Sequence, residues 1–122
     1  MNNSGKSVAA LAGFFKIQPD EILIVHDELD MPAGTTKLKS GGGHGGHNGL
    51  RDTHAQIGKD YWRLRVGIGH PGEASKVADY VLSRPSVNDE IEINNSIDRA
   101  VSEIERIVLG DMQKVMNTLH SQ

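Results

Sequence analysis

Cysteine is absent from all 122 residues. That excludes disulfides, thiol nucleophiles and thiolate metal sites, and it fits a chain kept in the reducing cytoplasm. Long apolar runs are also missing. The longest strand-like run, Ile22-Leu23-Ile24-Val25, falls far short of the roughly 20 residues of a membrane span, and no signal-peptide pattern opens the chain. No GxSxG elbow, GxxxxGK[ST] phosphate loop or HExxH zinc motif occurs. His44-x-x-His47 has no third ligand at a defined spacing, and His26, Asp27, Glu28 and Asp30 match no cation-loop signature. Covalent catalysis and a resident metal therefore have little support, and an activated water is the better model for any reaction.

Glycine, in contrast, is concentrated. Five of the seven residues from Gly41 to His47 are glycine, interrupted only by His44 and His47. Ordering so many glycines costs conformational entropy, so a folded chain keeps them where backbone must turn tightly or lie against a ligand. Lys37, Lys39, His44, His47, Asn48 and Arg51 surround the run, which marks a binding loop better than a flexible linker.

Charge is distributed unevenly. The net charge of −3 combines six Lys/Arg against two Asp between Lys37 and Arg65 with seven basic and fourteen acidic residues elsewhere. A basic segment in an acidic chain points to a local phosphate-binding patch, not a general nucleic-acid coat.

Periodicity predicts an α/β chain of one domain. A helix is expected from Ser4 to about Ile17, with Val8, Leu11, Ala12 and Phe15 on its inner face. Ile22 to Val25 reads as a buried parallel strand, and Thr35 to Lys39 as an alternating strand with both lysines on one face. Leu50 to Ile57 predicts a short helix ended by Gly58. In Tyr61 to Ile68, Trp62, Leu64, Val66 and Ile68 alternate with Tyr61, Arg63, Arg65 and Gly67. If the two alternating strands are neighbours, Lys37, Lys39, Arg63 and Arg65 share a solvated face as a phosphate clamp would. A short helix is expected over 74–82. Beyond it, Ser86 caps a helix running to about Leu109, with Ile91, Ile97, Val101, Ile104 and Val108 as its apolar stripe, and a last helix covers Asp111 to Leu119.

Asp27 closes the apolar strand, where ligands bind in open α/β sheets, and an acid there suits the support of a histidine general base. Asn2 and Asn48 carry amides able to donate to a carbonyl oxygen and accept from water.

Taken together, four motifs resemble the bacterial peptidyl-tRNA hydrolase family. They are Met-Asn-x-Ser-Gly at residues 1–5, His26-Asp27-Glu28-Leu29-Asp30, the run from Gly41 to Gly49, and Arg63-Leu64-Arg65-Val66-Gly67-Ile68-Gly69-His70-Pro71-Gly72. The resemblance covers essentially the whole chain. It implies a mixed twisted sheet flanked by helices, and a cytoplasmic, monomeric, cofactor-free esterase that cleaves peptide from the 3′ end of tRNA. By motif position, Asn2 matches the residue contacting substrate and water, and Asp27 the one orienting the catalytic histidine. Asn48 matches the amide that binds the peptide or the 3′ end, with His47 beside it. Lys37, Lys39 and Arg65 match the residues that grip tRNA phosphates. The resemblance also implies that the family's N-terminal strand, with the general-base histidine, is not in this chain. None of its six histidines stands at that position, and His47 is the first substitute to consider. A non-catalytic module binding the tRNA acceptor stem is the alternative reading.

Overall fold

The computed structural model describes residues 4–120, and its packing divides the chain into two compact units. The first holds the N-terminal part to Ile24 together with Lys39–Arg63, and the second holds Val25–Leu38 together with the chain from Leu64 onward. Three strands, β1 (Leu23–Glu28), β2 (Thr36–Ser40) and β3 (Trp62–Gly67), form one sheet in the order β1-β3-β2.

The hydrogen bonds give the strand directions. Trp62 N–H donates to the Ile22 carbonyl and Ile68 N–H to that of Glu28, a constant offset that makes β1 and β3 parallel. Gly41 N–H donates to the Tyr61 carbonyl and Gly67 N–H to that of Thr35, a constant sum that makes β2 and β3 antiparallel. The expected mixed α/β sheet is the one observed.

In the first unit, α1 (Ser4–Phe15) packs on α2 (Asn48–Ile57) through its smallest residues. Gly5 is buried because a Cβ there would stand 2.4 Å from the Asp52 carbonyl oxygen. Its N–H donates to Asp52 Oδ2 at 2.6 Å, satisfying a first-turn amide of α1. The expected inner face is corrected here. Ala12 is buried and Val8 partly so, but Leu11 and Phe15 are exposed, because the close approach of α2 admits glycine and alanine and excludes larger side chains. The helix also stops two residues early. Lys16 turns into the left-handed region at φ 56°, with Lys16 N–H donating to Gly13 O and Ile17 N–H to Ala12 O. That bond pair closes a Schellman motif with lysine in the usual glycine position.

In the second unit, α3 (Val77–Leu82) follows a 3-10 turn over Ala74–Lys76, and the Tyr80 hydroxyl donates to the Ile68 carbonyl at 2.5 Å. Next, α4 (Val87–Ser102) starts where Ser86 Oγ accepts from Asp89 N–H, as the sequence predicts. The expected single helix to Leu109 breaks at Glu103 into α4 and α5 (Ile104–Val108), and α6 (Met112–His120) closes the described chain. The α4–α5 stripe is a second correction. Ile91, Ile97, Val101, Ile104 and Val108 are all exposed, and the buried face is Ser96, Ala100, Glu103 and Ile107. Periodicity locates an apolar stripe without saying what covers it. Here Arg99 Nη2 donates to the Gly34 carbonyl at 2.5 Å, and the buried Glu103 pairs with Arg106 three residues on at 3.1 Å.

The expectation of a buried β1 is likewise revised. His26 is its only buried residue and Val25 is exposed, because β1 lies at one edge of the sheet. The central strand β3 is instead covered on both faces: Tyr61 beside its start, and Arg63, Leu64, Val66 and Gly67 within it, are all buried. No described helix is long and apolar enough to cross a membrane.

Candidate functional site

The glycine run lies wholly in the first unit. It leaves β2, is pinned by Gly41 N–H to the Tyr61 carbonyl at 3.0 Å, and ends at the N-terminus of α2. At Gly42, φ is 107° and Lys39 Nζ lies 2.8 Å from where a Cβ would stand. Any side chain there would be strained and would displace the lysine. His44 and His47 build the loop's own framework. His44 Nδ1 accepts from Gly46 N–H at 3.0 Å, and the His44 carbonyl accepts from His47 N–H at 2.9 Å. His47 is the N-cap of α2, its Nδ1 accepting from Leu50 N–H at 3.2 Å.

That cap starts the helix at Asn48, two residues before the expected opening. Histidine is not among the usual N-cap residues, so the sequence carried no capping signal there. Asn48 is exposed at the first position of α2, and His47 is half-buried beside it. With Nδ1 accepting a backbone hydrogen bond, the His47 ring carries its proton on Nε2.

The four-cation face expected on β2 and β3 is not what folds. Arg63 is 2% exposed, and its guanidinium turns into the first unit. Nη1 donates to the Gly43 carbonyl and Nη2 to the Gly42 carbonyl. Nη2 also meets His54 Nε2 at 2.8 Å, and the guanidinium carbon lies 4.8 Å from the Tyr61 ring centroid. Burial, then the charges of Arg63, His44 and Lys59, lower the His54 pKa below its ordinary value, so this ring accepts from Arg63 in its neutral form. Sequence reasoning missed both Arg63 and His54. Alternation placed Arg63 on a solvated face, and nothing in spacing shows that a loop folds over it.

A second cluster belongs to the second unit. Lys37 is half-buried on β2, between the buried Thr36 and Leu38, so the alternation expected of β2 is present. Arg65 faces Glu28, Nη1 to Oε1 at 3.9 Å, with both side chains about one quarter exposed. His120 joins them from α6: its Nε2 accepts from Leu38 N–H at 3.1 Å, and burial followed by the charges of Lys37 and Arg65 lowers its pKa. Asp27 is half-buried near the end of β1, and its carbonyl accepts from His26 Nδ1 at 2.8 Å. The structure therefore brings Lys37 and Arg65 into one cluster. Lys39, His47 and Asn48 belong to the glycine loop, and Asn2 lies outside the described residues.

Comparison with known proteins gives these features a context. The family model described as peptidyl-tRNA hydrolase matches residues 1–122. The chain belongs to that family. A peptidyl-tRNA hydrolase of Coxiella burnetii (strain RSA 331 / Henzerling II) is 58% identical over 99% of this chain and 65% of its own length. One from Pseudomonas paraeruginosa is 56% identical over 100% of this chain and 64% of its own. The chain thus spans a little less than two thirds of these curated relatives. The crystal structure of peptidyl-tRNA hydrolase from Acinetobacter baumannii matches with a TM-score of 0.95 at 47% identity, covering 98% of this chain and 61% of that one. At that likeness the mixed sheet and its helices are those of the peptidyl-tRNA hydrolase fold.

Proposed function

We propose that the protein hydrolyses the ester joining a peptide to the 3′ end of tRNA. The observation that carries this reading is the family match along all 122 residues, which includes the glycine loop from Gly41 to Gly49. In the reaction, a general base takes a proton from water as its oxygen attacks the ester carbonyl. The carbon–oxygen bond to the ribose then breaks, and the departing oxygen receives the proton.

Asp27 orients and supports the histidine base. Asn2 and Asn48 position substrate and polarise the carbonyl, with His47 holding the helix start that presents Asn48. Lys37, Lys39 and Arg65 contact tRNA phosphates. No cofactor is assigned a step, and the protein acts as a monomer in the cytoplasm, away from membranes.

The test is hydrolysis of an N-blocked aminoacyl-tRNA by the 122-residue chain and by a form extended upstream. Turnover in the extended form alone supports the reading and places the base outside these residues. Turnover in both supports it and places the base within these residues. Tight binding without turnover in either form overturns the hydrolase reading.

A further inference from the structure

We infer that Arg63 is a positioning residue for substrate capture, a buried guanidinium strut that sets the shape of the glycine loop carrying His47 and Asn48. The inference rests on the hydrolase reading for what the loop captures, and on the first unit's own geometry for how it is held.

Three observations support it. First, an arginine only 2% exposed pays a large desolvation cost unless its donors are matched, and here Nη1 and Nη2 are matched while Nε has no partner among the described residues. Among the described residues no carboxylate lies within ion-pair distance of it, so its charge is met by neutral acceptors: the Gly42 and Gly43 carbonyls and His54 Nε2. Second, those acceptors come from the loop and from α2, the two segments that meet at His47 and Asn48. One planar fork thereby ties the loop's middle to the helix the loop starts. Third, the loop's other hydrogen bonds, Gly46 N–H and His47 N–H to His44 and Gly41 N–H to the Tyr61 carbonyl, leave the Gly42 and Gly43 carbonyls to Arg63. At Gly45 and Gly46 nothing lies within 4 Å of where a Cβ would stand. A segment of glycines with open surroundings keeps one conformation more firmly where its carbonyls are also clamped, and the rigid fork of arginine clamps two at once.

Lysine cannot reproduce this. A single ammonium has no planar pair of donors for adjacent carbonyls, so Arg63→Lys keeps the charge and releases the loop. The protein and Arg63→Lys are compared by amide hydrogen exchange over residues 41–48 and by steady-state hydrolysis of an N-blocked aminoacyl-tRNA. Exchange over the loop is expected to quicken at least tenfold while strand β3 stays protected. KM is expected to rise about tenfold or more with kcat changed far less, since the loop positions substrate and does not supply the base. Rescue supplies a further readout, with guanidinium ion added to Arg63→Ala expected to restore slow loop exchange.

Unchanged exchange and unchanged KM in Arg63→Lys would overturn the inference. If Arg63→Lys fails to fold by circular dichroism, His54→Leu decides, because it removes one acceptor and leaves the loop carbonyls in place. Faster loop exchange with raised KM in that variant supports the strut, and wild-type values in both overturn it. Absence of turnover in both the 122-residue chain and the extended form condemns the hydrolase reading, while the exchange arm still decides on Arg63.

Discussion

His120 Nε2, at the last turn of α6, accepts a hydrogen bond from the backbone N–H of Leu38 at 3.1 Å. β2 is an edge strand, and the bonds of Thr35 and Gly41 to β3 put the Leu38 N–H on the side facing away from the sheet. An unpaired edge amide invites pairing with another chain. Here an imidazole closes that position from within the second unit.

This contact makes stability pH-dependent, with a defined sign. The bond uses the lone pair that a proton would take, and burial with the Lys37 and Arg65 charges holds the His120 pKa below its ordinary 6.5. Below pH 6.5 the unfolded chain therefore binds a proton that the folded chain resists. Stability is full above pH 6.5, falls as pH drops toward the folded pKa, and levels off below it. His54 is lowered in the same direction and adds to the same fall. Urea melts at pH 8 and pH 5.5 should show His120→Gln losing about 1 kcal/mol at the higher pH and less at the lower. Equal losses at both pH values would remove the lone-pair explanation.

Lys16 offers a way to stabilise the chain. Its backbone sits at φ 56° to close the Schellman motif after α1, a conformation costing a non-glycine residue roughly 1–2 kcal/mol. Lys16→Gly relieves that strain but adds freedom to the unfolded state, leaving a net gain of about 0.5–1 kcal/mol. A thermal melt reads this directly, and a lower Tm than wild type would mean that the lysine side chain contributes packing that the backbone geometry does not show.

Tyr61 is fully buried, and its hydroxyl has no hydrogen-bond partner among the described residues. Burial raises its pKa, and the Arg63 charge opposes this to a smaller degree. Removing an unsatisfied buried hydroxyl is nearly neutral or stabilising, whereas truncating the ring leaves a cavity. Tyr61→Phe should therefore melt within about 0.5 kcal/mol of wild type or above it, and Tyr61→Ala should lose about 3–5 kcal/mol. A loss above about 1 kcal/mol in the phenylalanine variant would show that the hydroxyl has a partner in solution.

These residues also show where the sequence was legible. The glycine run, the alternation of β2, the Ser86 cap and the Gly58 stop are local signals, and each matches the observed element. Arg63 was placed on the wrong face and the α4–α5 stripe on the wrong side, because both depend on what another segment covers. His47 as an N-cap and His120 as an edge acceptor were invisible for a related reason. Each is a histidine performing a backbone task usually given to other residues, one of them 82 positions away along the chain.

The proposed phosphate grip makes the last prediction. Arg65 stands 3.9 Å from Glu28, which partly neutralises it, and Lys37 shares its cluster. If both cations contact tRNA phosphates, each replaced by alanine should weaken acceptor-stem binding and reduce the slope of log K against log salt by about 0.7–0.9. Glu28→Gln should act in the opposite sense, tightening binding at low salt by releasing Arg65. Because it adds no phosphate contact of its own, its effect should vanish in the Arg65→Ala background. Filter binding across a salt series measures all three. A slope unchanged by Lys37→Ala and Arg65→Ala would mean that the cluster serves the fold through His120 and Glu28.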